Sequence, residues 1–285
     1  MLNQATKQNL IRKAHWADAV QLLPDGTPLF SWCDIDPVDL CNRSCVFCPR
    51  SDPTVAPNNK LYMSQRLADK IASELYYLDY KGAVIFCGTG EPLLHPNFVE
   101  LIRPFMGLHV EMVTNGDRLT PKLISDLYAS GMSFINVSCY DGPHQLDKFH
   151  AMFDGLADAS MYQLRDRWYS ADEDFGVKLT NRAGTIQAGH QPAVDTQSPC
   201  QYPSYAATIS WNGDFLLCPQ DFARRQRYGN LNDQTLVEIW TSRAYHKRRM
   251  RLLNKREGLS PCGSCNCDGQ IHGADHAKLW QGDKT

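Results

Sequence analysis

Apolar and polar positions alternate along this chain in two rhythms, one of strands and one of helices. Leu29-Phe30-Ser31-Trp32-Cys33-Asp34-Ile35-Asp36 reads as a strand. Ser64 opens a helical stretch with Leu67, Ile71, Leu75 and Leu78 on one face. Residues 83–86 form a short apolar strand, 97–105 a short helix and 109–113 a third strand. Thr120-Pro121 starts another helix, with Leu123, Ile124 and Leu127 on one side; proline suits the first helical position. Residues 134–138 are the fourth strand. Strand and helix therefore alternate over residues 29–138, which predicts parallel strands joined by right-handed crossovers.

The pattern weakens after residue 140. Residues 161–168 and 176–180 are candidate strands, and the polar stretch 181–199, with its glycines and prolines, reads as a linker. Residues 207–211 and 214–218 then flank Asn212-Gly213, a strong hairpin signal. Residues 236–253 look helical, with Ile239, Trp240 and Leu252 on the buried side. The expected organisation is an N-terminal extension (1–28), an α/β unit (29–185) and a small hairpin-plus-helix unit (186–285). No internal repeat is evident.

Composition narrows the function classes. Lys and Arg number 29 against 31 Asp and Glu, a net charge of −2, so the basic excess of a nucleic-acid binder is missing. Apolar residues at 43% supply an ordinary core, and no apolar run reaches the length of a membrane span. The first residues lead into no apolar stretch of the secretory kind, so a cytoplasmic protein is expected. Cysteine changes the picture. Eleven occur, an odd number in a chain expected to stay reduced, which favours metal binding over a disulfide framework.

Cys41, Cys45 and Cys48 follow the spacing C-x3-C-x2-C directly after the first strand. Three thiolates in one loop fall short of a four-ligand zinc site. They can hold three irons of a 4Fe–4S cluster and leave the fourth iron open. The alternative is a zinc loop completed by a distant His95 or His109. The loop, with Phe47 before its last cysteine, resembles the signature of the radical S-adenosylmethionine (SAM) superfamily. Thr89-Gly90-Glu91-Pro92, preceded by Gly88, is similar to the family's glycine-rich turn for the methionine amino group, with threonine at its first glycine. Thr114-Asn115-Gly116 and Ser138 resemble further family elements near the cofactor. The resemblance implies a partial (β/α)6 barrel, one SAM-binding cluster, and cleavage of SAM to a 5′-deoxyadenosyl radical by a reductant such as flavodoxin or ferredoxin.

Cys200, Cys218, Cys262 and Cys265 form a second set, and the hairpin brings Cys218 back toward Cys200. This arrangement is similar to the family's twitch, or short SPASM, domain, which implies an auxiliary 4Fe–4S cluster with four cysteine ligands. A structural zinc site is the alternative, because a C-x2-C pair alone does not choose its metal. The spacing is most similar to that of twitch-domain dehydrogenases, which implies oxidation of a sugar or aminocyclitol-like alcohol to a ketone. Sugar epimerisation, peptide maturation, electron carriage and zinc-dependent interaction are the alternatives. The resemblance also points to Arg182, a short distance before Cys200, as a group near the reacting hydroxyl. Cys139 and Cys267 are candidate hydrogen-atom donors; Cys33 and Cys87 read as core residues. Gln163, Arg165 and Arg167 alternate along the expected fifth strand and can all face inward. His272 and His276 are expected to be solvated.

Overall fold

The computed structural model describes residues 4–282. Helix α1 (Gln4–Ala17) precedes strand β1 (Trp32–Ile35). Then follow α2 (Gln65–Tyr77), β2 (Ala83–Phe86), α3 (Phe98–Ile102), β3 (His109–Thr114), α4 (Pro121–Ala129) and β4 (Phe134–Cys139). The expected starts hold at atomic detail. Ser64 accepts a hydrogen bond from Leu67 N–H, and Thr120 accepts one from Leu123 N–H ahead of Pro121. Helix α5 (His144–Phe153) was not expected; Gln145, Phe149 and Phe153, four apart, give it a buried face. Strand β5 (Tyr162–Asp166) matches the first late candidate strand. The second, 176–180, is irregular; Asp174 and Phe175 just before it adopt left-handed backbone, which breaks any extended run.

The C-terminal part contains α6 (Tyr202–Tyr205), β6 (Ala206–Ile209), β7 (Asp214–Leu216), β8 (Arg227–Asn230), α7 (Leu236–Trp240), α8 (Arg243–Leu252) and α9 (Ala274–Trp280). The hairpin is present, and Gly213 carries its turn at φ +87°. Among the described residues, eight strands join one sheet in the order β5-β4-β3-β2-β1-β6-β7-β8. β1 to β6 run parallel, and β7 and β8 are antiparallel. The sixth parallel strand is thus the first arm of the hairpin, with Trp32 registered on Ala206. The sheet runs through the expected boundary near 185–199. Among the described residues no helix is long and apolar enough to cross a membrane.

The two faces of the sheet differ. Cys33, Ile35, Val84, Phe86, Val110, Met112, Ile135, Val137 and Cys139 point outward into one large core with α2 to α5. The alternate residues Trp32, Asp34, Glu111, Phe134, Asn136 and Arg165 point inward. Helix α1 covers part of this inner face rather than standing apart as an extension. Arg12 pairs with Glu111, and its guanidinium lies 4.8 Å from the Phe134 ring centre. Lys13 Nζ lies 4.6 Å from the Trp32 ring centre, and Trp16 stacks on His109 at 4.0 Å.

The C-terminal helices are bound to the barrel through polar anchors as well as apolar ones. Trp240 Nε1 donates to Pro28 O at 2.8 Å, and Leu236 N–H donates to Glu74 at 2.6 Å. Arg249 is fully buried, its guanidinium 3.7 Å from the Trp280 ring centre, and donates to Pro203 O at 2.6 Å. His272 and His276 are not solvated: they are 7% and 0% exposed, beside Tyr205. The return of α9 onto the start of β6 covers them.

Candidate active site and cluster-binding loops

The three-cysteine loop leaves β1 at its C-terminal end. Cys48 N–H donates to Cys45 O at 2.8 Å, so the last turn closes on itself. Cys41, Cys45 and Cys48 all keep some exposure. Two arginines hold the loop. Arg43 forks onto Asp117 and Asp141, at 2.6 Å each, tying it to the ends of β3 and β4. Arg50 is buried; it donates to Asp39 at 2.5 Å and to Thr89 O at 2.5 Å, tying the loop to the glycine turn after β2. Neither histidine considered as a zinc ligand is free. His95 uses both ring nitrogens on Met63 O and Asn97 N–H. His109 faces Glu111 under Trp16.

The glycine turn lies against the same loop. A Cβ on Gly90 would come within 2.0 Å of Val38 O, so only glycine fits there. Gly88 has φ +129°. Thr89 donates its hydroxyl to Asp36 and accepts from Arg224 at 3.0 Å. Glu91 lies buried at the end of the turn. It is 3% exposed and accepts from the Thr114 hydroxyl at 2.6 Å and from Asn115 N–H at 2.8 Å. Burial pushes its carboxyl up to about 7. Glu91 therefore ties the glycine turn to the Thr114-Asn115-Gly116 turn. Asn115 in turn donates to Asn42 at 2.8 Å, beside Cys41. Glu91→Ala is expected to retain cluster iron but to cost about 1–3 kcal/mol of stability, because two buried donors lose their acceptor. Thermal melting beside an iron count checks this; unchanged melting with lost cofactor binding would return Glu91 to a ligand contact.

Phe47 lies 6.2 Å from Tyr140 and 5.1 Å from Phe175, ring centre to ring centre. With Cys45, Arg167, Trp168 and Tyr169 they line a cleft over the loop, open to a flat aromatic group. Ser138, 6% exposed, faces inward next to this cleft. Cys139, the next residue, faces the opposite way. It is 0% exposed within the outer core, so strand alternation removes it as a donor to a substrate inside the barrel. Cys87 takes the inward place: its thiol donates to Asp34 at 3.5 Å.

The second cysteine set meets at the end of the sheet where β6 begins and β7 finishes. Cys200, Cys218, Cys262 and Cys265 line one enclosed cavity, and Cys267 joins them. Arg256 holds the cysteine loop by donating to Cys267 O at 2.7 Å. A Cβ on Gly269 would lie 2.6 Å from Cys200 Sγ, so glycine is required for this approach. Burial pushes the thiols up, Cys262 to about 11 and Cys267 to about 12. Thiolates at this depth need a metal's charge. Among the described residues, no three His, Cys, Asp or Glu side chains converge tightly enough for a single ion. Cys200, Cys218, Cys262 and Cys265 supply the four thiolates that a 4Fe–4S cluster takes, and Cys267 lies beside them. Arg182, at φ +45° in the turn before this set, lies close enough to Cys267 to pull its thiol pKa down.

Comparison with known proteins agrees with these loops. A model of the radical SAM superfamily matches residues 35–154, and one of an iron–sulfur cluster-binding domain, SPASM, matches residues 200–266. The chain is 29% identical over 247 residues to the S-adenosyl-L-methionine-dependent 2-deoxy-scyllo-inosamine dehydrogenase of Niallia circulans, covering 84% of this chain and 93% of that protein. It is 30% identical over 123 residues to an AdoMet-dependent heme synthase of Methanosarcina barkeri, covering 42% and 33%. The crystal structure of BtrN in complex with AdoMet and 2-DOIA superposes with a TM-score of 0.71 at 27% identity, over 87% of this chain and 98% of that one.

Proposed function

The chain is a radical SAM protein with a SPASM-type iron–sulfur region, and from that premise we propose that it oxidises a secondary alcohol of a sugar or cyclitol to a ketone. The observation that carries this reading is the second set of cysteines gathered around one cavity. Cys200, Cys218, Cys262 and Cys265 can occupy every iron of a cluster, which suits electron transfer rather than direct ligation of substrate. The 29% identity across most of the chain to a relative named for an aminocyclitol supports the small, hydroxylated substrate.

Cys41, Cys45 and Cys48 would hold the SAM-binding cluster. When bound, the cofactors supply a 5′-deoxyadenosyl radical to take the carbinol hydrogen and an acceptor for the second electron. The protein's own contribution is placement. Arg43 and Arg50 fix the loop, Gly90 lets backbone come close, Phe47 and Tyr140 offer aromatic faces, and the inner sheet face offers polar partners. Phe47, Gly88, Thr89, Gly90, Asn115 and Ser138 form the cofactor neighbourhood; Glu91 and Thr114 support it from behind. Arg182 remains a candidate for the reacting hydroxyl. A small reductant such as flavodoxin or ferredoxin, in a reducing cytoplasm, completes the scheme.

Epimerisation is the second reading, because Cys87 and Cys267 are thiols near the interior. The two separate in deuterated water. The dehydrogenase is expected to yield a ketone, one per SAM consumed, with no deuterium at carbon. An alcohol carrying solvent deuterium at an inverted carbon, lost in Cys87→Ala or Cys267→Ala, would replace the first reading by the second.

A further inference from the structure

The chain as a whole is nearly balanced in charge, with 29 Lys and Arg against 31 Asp and Glu. One helix departs from that balance. α8 carries Arg243, Lys247, Arg248, Arg249 and Arg251 and no acidic residue. Two of these serve the fold. Arg249 is buried against Trp240 and Trp280, and Arg248 donates to Tyr228 Oη at 3.0 Å and to Ser260 O at 2.6 Å. Arg243, Lys247 and Arg251 are exposed and stand four residues apart, so they form one stripe along the helix. Among the described residues, none of the three has an acidic partner or a side-chain hydrogen bond. Lys255, one turn further on, is matched by Glu257. Like charges at this spacing weaken a helix, and Arg243 opens α8 where the helix dipole disfavours a cation. Helix stability therefore does not account for the stripe.

The inner side of α8 rests on the second cysteine set. Cys200 N–H donates to Leu252 O, at the end of the helix, at 2.7 Å. Tyr245 Oη donates to Leu217 O, next to Cys218, at 3.4 Å. Arg248 reaches Ser260, two residues before Cys262. One helix thus touches backbone at or within two residues of three candidate cluster ligands, and shows solvent an unpaired basic edge. A field of this kind draws an oppositely charged partner and speeds its encounter.

We propose that the exposed edge of α8 is the docking face for an acidic one-electron carrier protein of the flavodoxin kind, which collects the electron left at the second cysteine site. The inference rests on the dehydrogenase reading above and adds a partner surface to it. A carbinol that gives a hydrogen atom to the 5′-deoxyadenosyl radical must still lose one proton, to a base, and one electron to become a ketone. That electron goes to the second site and from there to the oxidised carrier. One electron is spent at the first site for each SAM cleaved, so a carrier that gave one there regains one here, and the count closes. A nucleic acid fits this face less well, because outside α8 the acids of the chain outnumber its Lys and Arg.

The test uses the full chain, oxidised flavodoxin as the probe and cytochrome c as a cationic carrier for comparison. With Cys41, Cys45 and Cys48 replaced by alanine, only the second site holds a cluster, so its electrons are read alone. This protein is reduced with titanium(III) citrate, freed of excess reductant and mixed with carrier in a stopped-flow cell. Transfer to flavodoxin is expected to slow with added salt, and to slow about tenfold or more when Arg243→Glu, Lys247→Glu and Arg251→Glu are added together. Transfer to cytochrome c should hold or rise in the same variant. The three glutamine replacements should fall between, and serve if the charge reversal disturbs folding. In the chain with all cysteines present, 5′-deoxyadenosine formation driven by titanium(III) citrate should be unchanged by the reversal. Equal flavodoxin rates in parent and variants, or a rate in the parent that ignores salt, would overturn the proposal. So would binding of a DNA duplex that the reversal abolishes while flavodoxin transfer stays the same. Charge-dependent transfer with no sugar or cyclitol oxidised would refute the dehydrogenase reading and leave this face standing. A second site without iron would remove both.

Discussion

Replacing Cys41, Cys45 and Cys48 together with alanine is expected to halve the iron of anaerobically reconstituted protein, from about eight to about four per chain, and to abolish 5′-deoxyadenosine formation. The loss should be close to total because no other described side chain can stand in. His95 and His109 are committed elsewhere, and the second cysteine set lies at the opposite end of the β1–β6 pair. The loop itself should survive. Its shape is set by Arg43 on Asp117 and Asp141 and by Arg50 on Asp39 and Thr89 O, not by the thiols. Melting should therefore move little, since partly exposed cysteines contribute little packing. Iron and sulfide analysis with chromatographic detection of 5′-deoxyadenosine decides the matter. Persistence of the nucleoside, or zinc in both sites of protein prepared without air, would refute the assignment.

The paired substitution Cys200→Ala with Cys218→Ala should divide the reaction instead of ending it. Iron is again expected to fall to about four, but 5′-deoxyadenosine should still form, while ketone yield drops by about 100-fold or more. The two residues sit in an enclosed cavity where the sheet meets the cysteine loop held by Arg256. Emptying it also removes a structural joint, so melting should fall, in contrast to the triple variant. If ketone yield kept pace with 5′-deoxyadenosine in the paired variant, the second set would be structural and the electron-acceptor role would be withdrawn.

Much of what depends on neighbours close in sequence was legible in the chain, although the four-residue spacing of Gln145, Phe149 and Phe153 in α5 was missed. Cys41, Cys45 and Cys48 lie within eight residues, so their convergence follows from the length of one loop. Caps at Ser64 and Thr120 and the alternation of β1 to β4 with helices are likewise local, because period and cap chemistry act over one or two turns. The inward row of Arg165 and Arg167 follows from strand alternation once the fifth strand is recognised.

Tertiary structure decided the rest, through competition between distant partners. Nothing near Ala206 specifies that its strand will pair with β1 rather than form a separate sheet; the open edge of β1, more than 170 residues earlier, does so. An amphipathic α1 carries no address for its apolar and basic face, and only the vacant inner side of the sheet draws Arg12 and Lys13 there. Cys139 and Ser138 are neighbours in sequence, yet which one faces the site depends on which side of the sheet the helices cover. Glu91 shows the same limit at the scale of one side chain. Its place in the turn is set by sequence, but its direction is set by two donors at Thr114 and Asn115. Hydrogen-bond partners brought together from separate loops are a property of the assembled fold, because their encounter costs chain entropy that only the completed core repays.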